Sequence, residues 1–95
     1  MIIDMDNIKP NLQLLIDMGY EDLSYFTNPD FDDAIIGVSH DGRIIYDYDK
    51  MIESLMKEQQ WTYEDAMEWI DYNTIRTIPY MPNGPVILMS FDYMK

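Results

Sequence analysis

Two short runs of branched apolar residues on either side of an Asp-Gly pair constrain the fold of this chain most. The runs cover residues 34–38 and 43–46, and the segment between them ends in Asp41 and Gly42. β-Branched residues favour extended backbone, and Asp-Gly adopts the left-handed conformations that tight hairpin turns require. The sequence therefore predicts a β-hairpin near the middle of the chain.

Residues 8–18 have the spacing of an amphipathic helix. Asp6 or Asn7 is expected to be its N-cap, and Gly19 is placed to end it at the C′ position, where positive φ is common. One face of this helix carries Ile8, Leu12, Leu15 and Ile16. A second apolar stripe, which either contacts another element or is exposed, consists of Leu14 and Met18.

Two more helices are predicted after the hairpin. Asp47 or Asp49 is expected to cap the first of them, which ends near residue 59 or 60. Its inner face consists of Tyr48, Met51, Ile52, Leu55 and Met56. Thr62 begins a pattern similar to a capping box and opens the last helix, which ends around residues 72–74. Its inner face consists of Tyr63, Ala66, Met67 and Ile70.

The C-terminal residues predict a second hairpin-like pair, at 75–81 and 86–91, around a turn rich in Pro and Gly. Pro79 has no N–H donor, so the first segment is expected to be an edge strand or an extended loop, and residues 86–89 a buried strand. The elements together predict a single α+β domain over residues 1–95. In it, three helices pack on a small, mainly antiparallel sheet of about four strands.

The composition excludes several classes of protein. The 95 residues include 18 acidic and 6 basic ones, for a net charge of −12, and 47% are hydrophobic. So much apolar material excludes a disordered acidic tail, and the charge opposes direct binding to nucleic acid, which depends on cationic side chains. The chain has no cysteine, so disulfides and thiolate metal sites are excluded.

The negative charge is confined to residues 1–71, because residues 72–95 contain two basic residues and one acidic residue. The nearly neutral C-terminal segment is therefore expected to belong to the core. With so many acids available, Arg43 and Arg76 are expected to form structural ion pairs or to stack on tyrosine.

The last predicted helix carries an uninterrupted acidic stripe. Glu64, Glu68 and Asp71 lie at positions i, i+4 and i+7, and no Lys or Arg interrupts them. Like charges at this spacing destabilise a helix by roughly 0.2–0.5 kcal/mol per pair. The stripe is either a solvated helix face or a negative surface that attracts a basic protein.

A second group of candidate partner-binding acids, Asp47, Asp49 and Glu53, lies at the start of the preceding helix. These acids also suit capping and the helix dipole, so a metal site is not needed to explain them. Trp69 and Tyr72 lie off the inward stripe of the last helix. They are expected either to anchor an interface or to be buried by neighbouring loops.

No catalytic, metal-binding or cofactor-binding pattern is found in the sequence. Asn28, Asp30 and Asp32 have the spacing of a calcium loop, but Asp33 stands where that loop requires glycine. His40, the single histidine, lies in the predicted hairpin turn, where a Ser-His-Asp triad cannot assemble. We therefore predict a protein that is not an enzyme and that has no cofactor or metal site.

The first residues lack the basic and apolar regions of a secretion signal. No apolar run in the sequence approaches the roughly 18 residues that a membrane span needs. We therefore expect a soluble cytoplasmic protein without a membrane partner.

Five segments carry a family resemblance: residues 33–38, 41–43, 46–51, 68–76 and 79–80. They resemble a family of small acidic proteins encoded by phages and mobile elements of Gram-positive gut bacteria. The resemblance implies a setting in which short acidic proteins block host defence, among them anti-CRISPR proteins that bind an effector nuclease in place of its DNA. It implies no catalytic or ligand-binding residues.

From this resemblance and the charge we expect an inhibitor in the cytoplasm of the bacterial host. Its acidic surface would mimic DNA and bind a basic nucleic-acid-binding protein such as a CRISPR effector nuclease. The alternative is a small structural or regulatory adaptor, monomeric or homodimeric, that uses the apolar surface of Leu14, Met18 or the C-terminal strands. In that case the acidity serves solubility only.

Overall fold

The computed structural model describes residues 9–91 and has an α+β fold, as predicted. Its α-helices and β-strands are α1 (Pro10–Asp17), β1 (Ile35–Val38), β2 (Ile44–Asp47), α2 (Tyr48–Gln59), α3 (Tyr63–Trp69) and β3 (Val86–Leu88). A 3-10 turn, Asp32–Ala34, precedes β1, and α3 continues directly as a π-helix, Ile70–Thr74, and then a 3-10 helix, Ile75–Tyr80. Within residues 9–91, no helix has both the length and the apolar character needed to cross a membrane.

The sheet has three strands in the order β1-β2-β3, with β2 at its centre. β1 and β2 pair antiparallel, which confirms the predicted hairpin, whereas β2 and β3 pair parallel. In the part of the chain described, the sheet is therefore mixed, and the expected four strands and mainly antiparallel pairing are not confirmed. The helices between β2 and β3 supply the long connection that parallel neighbours require.

The hairpin turn follows its sequence. Gly42 has a φ of 84°, which residues with a β-carbon rarely adopt. The Ser39 hydroxyl donates to the Asp41 carboxylate, and Arg43 Nε lies 3.1 Å from the same carboxylate. These contacts hold the pKa of Asp41 below its usual value. They also confirm the structural ion pair expected for Arg43.

The strand or extended loop predicted for residues 75–81 is wrong, because Ile75–Tyr80 is a 3-10 helix. Branched side chains favour extended backbone locally, but Ile75 and Ile78 both pack against the core. Residues three apart lie on the same side of a 3-10 helix, so this conformation lets both side chains reach the core. Pro79 is accommodated because its fixed φ suits 3-10 backbone.

The core forms where α2 packs against β2, α3 and the 3-10 turn before β1. On β2, Ile44 and Tyr46 are buried and alternate with half-buried residues, as in a strand with one face inward. The predicted inner face of α2 is confirmed by the burial of Tyr48, Met51, Ile52 and Leu55. On α3 and the π-helix, Ala66 and Ile70 are buried as predicted, whereas Tyr63 is exposed.

Three helix ends follow local sequence signals. Asp47 caps α2 by accepting the N–H of Lys50 at 3.1 Å, and Thr62 caps α3 by accepting the N–H of Asp65 at 3.2 Å. Gly19 follows α1 with a φ of 97°, and its N–H donates to the Ile16 carbonyl at 3.0 Å. This glycine termination is the one predicted from the sequence.

The start of α1 depends on a distant residue. The expected N-caps, Asp6 and Asn7, lie outside the described residues. The carboxylate of Asp32 accepts the N–H groups of Asn11 and Leu12 at 3.0 and 2.9 Å. The Asn11 amide donates in return to the Asp32 carbonyl at 2.8 Å. Asp32 is only 6% exposed, so these helix N–H groups compensate for the burial of its charge.

Several apolar residues predicted inside are exposed. α1 contacts β1 and the 3-10 turn with the side that carries Leu12 and Leu15, so Ile16, predicted inward, is exposed together with the stripe of Leu14 and Met18. The prediction that residues 86–89 form a buried strand is also wrong, because β3 is an edge strand that pairs with β2 on one side. Leu88 and Met89 in this segment are exposed, as are Tyr80 before it and Phe91 after it.

Replacement of Asp32 by alanine is expected to destabilise the protein strongly. The substitution leaves two helix N–H groups without their acceptor, which costs about 2–3 kcal/mol of the free energy of unfolding. Urea denaturation followed by circular dichroism measures the loss. Asp33→Ala is the matched control, because Asp33 is exposed and its loss is expected to change stability by less than about 0.5 kcal/mol. Equal denaturation midpoints for the two variants would contradict the capping role.

Tyr46 is a buried titratable group with a perturbed pKa. Its hydroxyl accepts the N–H of Phe26 at 3.1 Å, and its ring centre lies 4.7 Å from that of Phe26. Burial raises the pKa of Tyr46 from 10.0 to about 12. The folded protein therefore favours the neutral phenol over the phenolate.

We expect Tyr46 to make the protein less stable at high pH. Its raised pKa contributes stability that is fully present below pH 10 and lost as the pH rises through about 12. The shift corresponds to about 2–3 kcal/mol. Tyr46→Phe removes the acceptor of the Phe26 N–H, and the phenylalanine cannot ionise. Urea denaturation from neutral pH upward should therefore show that the free energy of unfolding falls less steeply at alkaline pH in this variant than in the wild type. Parallel stability profiles for the two proteins would refute this assignment.

Candidate functional site

Two tryptophans meet beside the junction of α2 and α3. Gln60 ends α2 in the left-handed conformation, with a φ of 57°, and Trp61 follows in the short connection to α3. Trp69 is the last residue of α3. The two indole ring centres lie 6.3 Å apart with their planes at 48°, and both half-buried side chains pack against the core.

The two indoles line a surface concavity of about 360 Å³, which we call the tryptophan cleft. Its lining residues are Trp61, Asp65, Glu68, Trp69, Tyr72 and Asn73. The lining residues from Asp65 to Asn73 are spaced three or four residues apart, which is about one helical turn, so they lie on one side of α3 and of the π-helix that continues it. The cleft therefore combines indole surface with two carboxylates at the side.

The π-helix contributes the far end of the cleft. Tyr72 and Asn73 both belong to Ile70–Thr74, and the Asn73 side-chain amide donates to the Trp69 carbonyl at 3.0 Å. That bond fixes the amide nitrogen and leaves Oδ1 of Asn73 as the acceptor of the group. π-Helical turns inside α-helices are rare and are frequent at functional sites.

Two further concavities adjoin the tryptophan cleft. One, of about 420 Å³, lies between Trp61, Trp69, the end of α2 and the loop of residues 27–30. The other, of about 250 Å³, is lined by Trp69, Asn73 and the same loop. Trp69 thus lines all three surfaces. Around them lie the carboxylates of Asp30, Glu58, Asp65 and Glu68, and no Lys or Arg among the described residues lines any of the three.

The predicted acidic stripe is divided by the fold. Glu68 lines the tryptophan cleft, whereas Glu64 is exposed on α3 outside it. Asp71 lies on a different side of the helix, where it accepts the hydroxyl of buried Tyr48 at 2.5 Å. Its carboxylate therefore has a structural role in holding the π-helix against the start of α2.

The second predicted group of acids lies on α2, apart from the tryptophan cleft. Asp47 is the N-cap, Asp49 is half-buried in the first turn, and Glu53 is exposed. Glu53 lines a concavity of about 250 Å³ that also contains Lys50 and Lys57. The negative charge at this surface is therefore partly neutralised, unlike that of the tryptophan cleft.

The two predicted aromatic anchors have different surroundings. Trp69 packs on the core with part of its ring and lines the cleft with the rest. Tyr72 is 67% exposed, and the guanidinium carbon of Arg76 lies 4.6 Å from its ring centre. This contact confirms the stacking on tyrosine expected for Arg76. Asp65 is not among the predicted site residues, although its spacing of three residues from Glu68 places both acids on one side of α3.

Within residues 9–91, no group of three His, Asp or Glu side chains is arranged to hold a metal ion. The arrangement at the tryptophan cleft instead offers carboxylates and aromatic faces, which attract cations by charge and by cation–π interaction. No protein-family model, curated protein or solved structure matches this chain. The geometry and charge of the cleft therefore carry the functional argument.

We expect Asp71→Ala to destabilise the fold, because a hydrogen bond between a buried hydroxyl and a carboxylate contributes about 1–3 kcal/mol. Glu64→Ala is the matched control on the same helix and is expected to change the free energy of unfolding by less than about 0.5 kcal/mol. Thermal or urea denaturation checks both values. If the two variants have the same stability, Asp71 belongs with the surface acids instead.

Proposed function

We propose that this protein binds a basic nucleic-acid-handling protein and inhibits it by occupying the surface that nucleic acid would use. The observation that carries the proposal is the coincidence of two indoles and four carboxylates at the tryptophan cleft and its neighbours, which no Lys or Arg of residues 9–91 lines. In this proposal the protein acts by binding and not by catalysis.

Electrostatic attraction supports this choice of partner. A protein groove that binds nucleic acid is rich in Lys and Arg, because its affinity comes from neutralising phosphates. Carboxylates grouped on rigid helices attract the same cations, and the net charge of −12 extends the attraction beyond contact distance. The indoles add the large, partly buried aromatic surface that is typical of interface hot spots.

The resemblance to small acidic phage proteins suggests which partner to test first. It points to a defence nuclease of the bacterial host, and a CRISPR effector is the leading candidate. The protein would act in the host cytoplasm, where such an effector meets its DNA. Its acidic surface would then take the place of the DNA backbone.

A pair of charge-reversed variants tests the surface. Glu58→Lys with Glu68→Lys changes the acids on two sides of the tryptophans. Glu58 lies in the last turn of α2, where Lys is favourable, and Glu68 is exposed on α3. Asp17→Lys with Glu21→Lys makes the same change in net charge at exposed positions that line none of the three concavities. Circular dichroism verifies that both proteins fold.

Each protein is immobilised and exposed to nuclease-treated host lysate, and bound proteins are identified by mass spectrometry at low and high salt. We expect the wild type and the Asp17/Glu21 variant to capture a basic nucleic-acid-binding protein. The Glu58/Glu68 variant is expected to capture at least about tenfold less of the same protein. Purified partner is then assayed for inhibition. Equal capture by both variants would exclude the tryptophan cleft as the docking surface.

An adaptor is the second candidate function, and the exposed apolar residues favour it. Leu14 and Met18 are 58% and 62% exposed on one side of α1, and Leu88 is exposed on the edge strand β3. An apolar contact resists salt, whereas an electrostatic contact weakens as salt rises. A partner that survives high salt, is insensitive to the Glu58/Glu68 change and does not bind nucleic acid would support the adaptor.

A further inference from the structure

We infer that the tryptophan cleft is a binding site for the guanidinium group of an arginine side chain. The inference deepens the proposed function and rests on it for its biological context, because the arginine would belong to the basic partner. The chemistry of the cleft can nevertheless be tested without that partner.

The indole pair provides the aromatic part of the site. A cation is attracted to an aromatic ring when it lies within roughly 6 Å of the ring centre. Trp61 and Trp69 both line the cleft, and their ring centres are only 6.3 Å apart with the planes inclined by 48°, so one cation in the cleft can lie within that distance of both rings. Indole is the strongest of the aromatic side chains in this interaction.

The rim of the cleft provides acceptors, and no Lys or Arg of residues 9–91 lines it, although the Arg76 guanidinium lies over the ring of Tyr72. Asp65 and Glu68 lie one turn apart on α3 and both line the cleft. Asn73 supplies a neutral acceptor, since its amide nitrogen is already bonded to the Trp69 carbonyl. A guanidinium has five N–H donors in one plane, so it can stack on an indole while its edge donates to these acceptors.

These features favour guanidinium over other cations. The ammonium group of lysine is compact and strongly hydrated, and it does not stack, so the indoles add less to its binding. A quaternary ammonium group has no N–H donor and would leave the carboxylates without hydrogen bonds. The protein itself shows the favoured contact at the rim, where the Arg76 guanidinium lies 4.6 Å from the ring centre of Tyr72.

Intrinsic fluorescence gives a selective readout, because the chain has two tryptophans and both line the cleft. The full chain is titrated with three blocked tripeptides that carry a central arginine, lysine or trimethyl-lysine. We expect the arginine peptide to change the fluorescence and to bind at least about five times more tightly than the other two. The indole N–H signals of both tryptophans should shift in a two-dimensional NMR spectrum.

Two variants of similar shape locate the site. Asp65→Asn with Glu68→Gln removes both charges without removing side-chain volume. This double variant is expected to bind the arginine peptide about tenfold more weakly than the wild type does. Glu64→Gln removes a charge from the same helix outside the cleft and is expected to change binding less than about twofold. Circular dichroism and urea denaturation verify that each variant is folded.

Three results would overturn the inference: no binding of the arginine peptide, equal or tighter binding of either other peptide, or equal weakening by Glu64→Gln. The outcome separates this inference from the proposed function. If the arginine peptide fails to bind but the Glu58/Glu68 change still abolishes partner capture, the guanidinium site is wrong and the inhibitor proposal stands. If the peptide binds the cleft but that change leaves partner capture intact, the proposed docking surface is wrong.

Discussion

The arrangement of the N-terminal half depends on one buried carboxylate. Asp32 lies in the 3-10 turn that leads into β1, and it accepts two backbone N–H groups from the start of α1. A buried charge is stable only when hydrogen-bond donors compensate for the lost water, and the free N–H groups of a helix start provide them. This contact fixes α1 against the hairpin. It also orders the end of the loop of residues 27–30, where Asp30 accepts the Asp32 N–H at 2.9 Å.

The remaining acids show why a net charge of −12 is compatible with a compact fold. Asp47 neutralises the start of α2, Asp71 accepts the hydroxyl of Tyr48, and Asp41 pairs with Arg43. Each of these carboxylates therefore offsets a local donor or dipole. At the tryptophan cleft, by contrast, Asp65 and Glu68 lie beside exposed aromatic surface with no lining cation. Carboxylates beside two indoles therefore distinguish the tryptophan cleft from the acids that cap helices or accept side-chain hydrogen bonds.

About half of the tryptophan cleft could be selected from sequence spacing. Trp69 and Tyr72 lie off the inward stripe of a helix that the structure confirms, and Glu68 belongs to the acidic stripe predicted on that helix. Asp65 shares a side of α3 with Glu68 through its spacing, whereas Trp61 joins them only because the chain turns at Gln60 between α2 and α3. Spacing alone also grouped Asp71 with Glu64 and Glu68. Spacing could not show that the hydroxyl of Tyr48, 23 residues earlier, donates a hydrogen bond to the Asp71 carboxylate.

The sequence by itself determined the features that neighbouring residues decide: the hairpin with its Asp-Gly turn, a cap for α2 at Asp47 or Asp49, the cap of α3 at Thr62, and the glycine that ends α1. Their free energies come from backbone preferences and hydrogen bonds within a few residues. Only the tertiary structure decided that residues 75–80 are helical, that β3 is a parallel edge strand, and that three separate segments surround Trp69. These outcomes depend on burying side chains against residues distant in the chain, and such packing outweighs local preference.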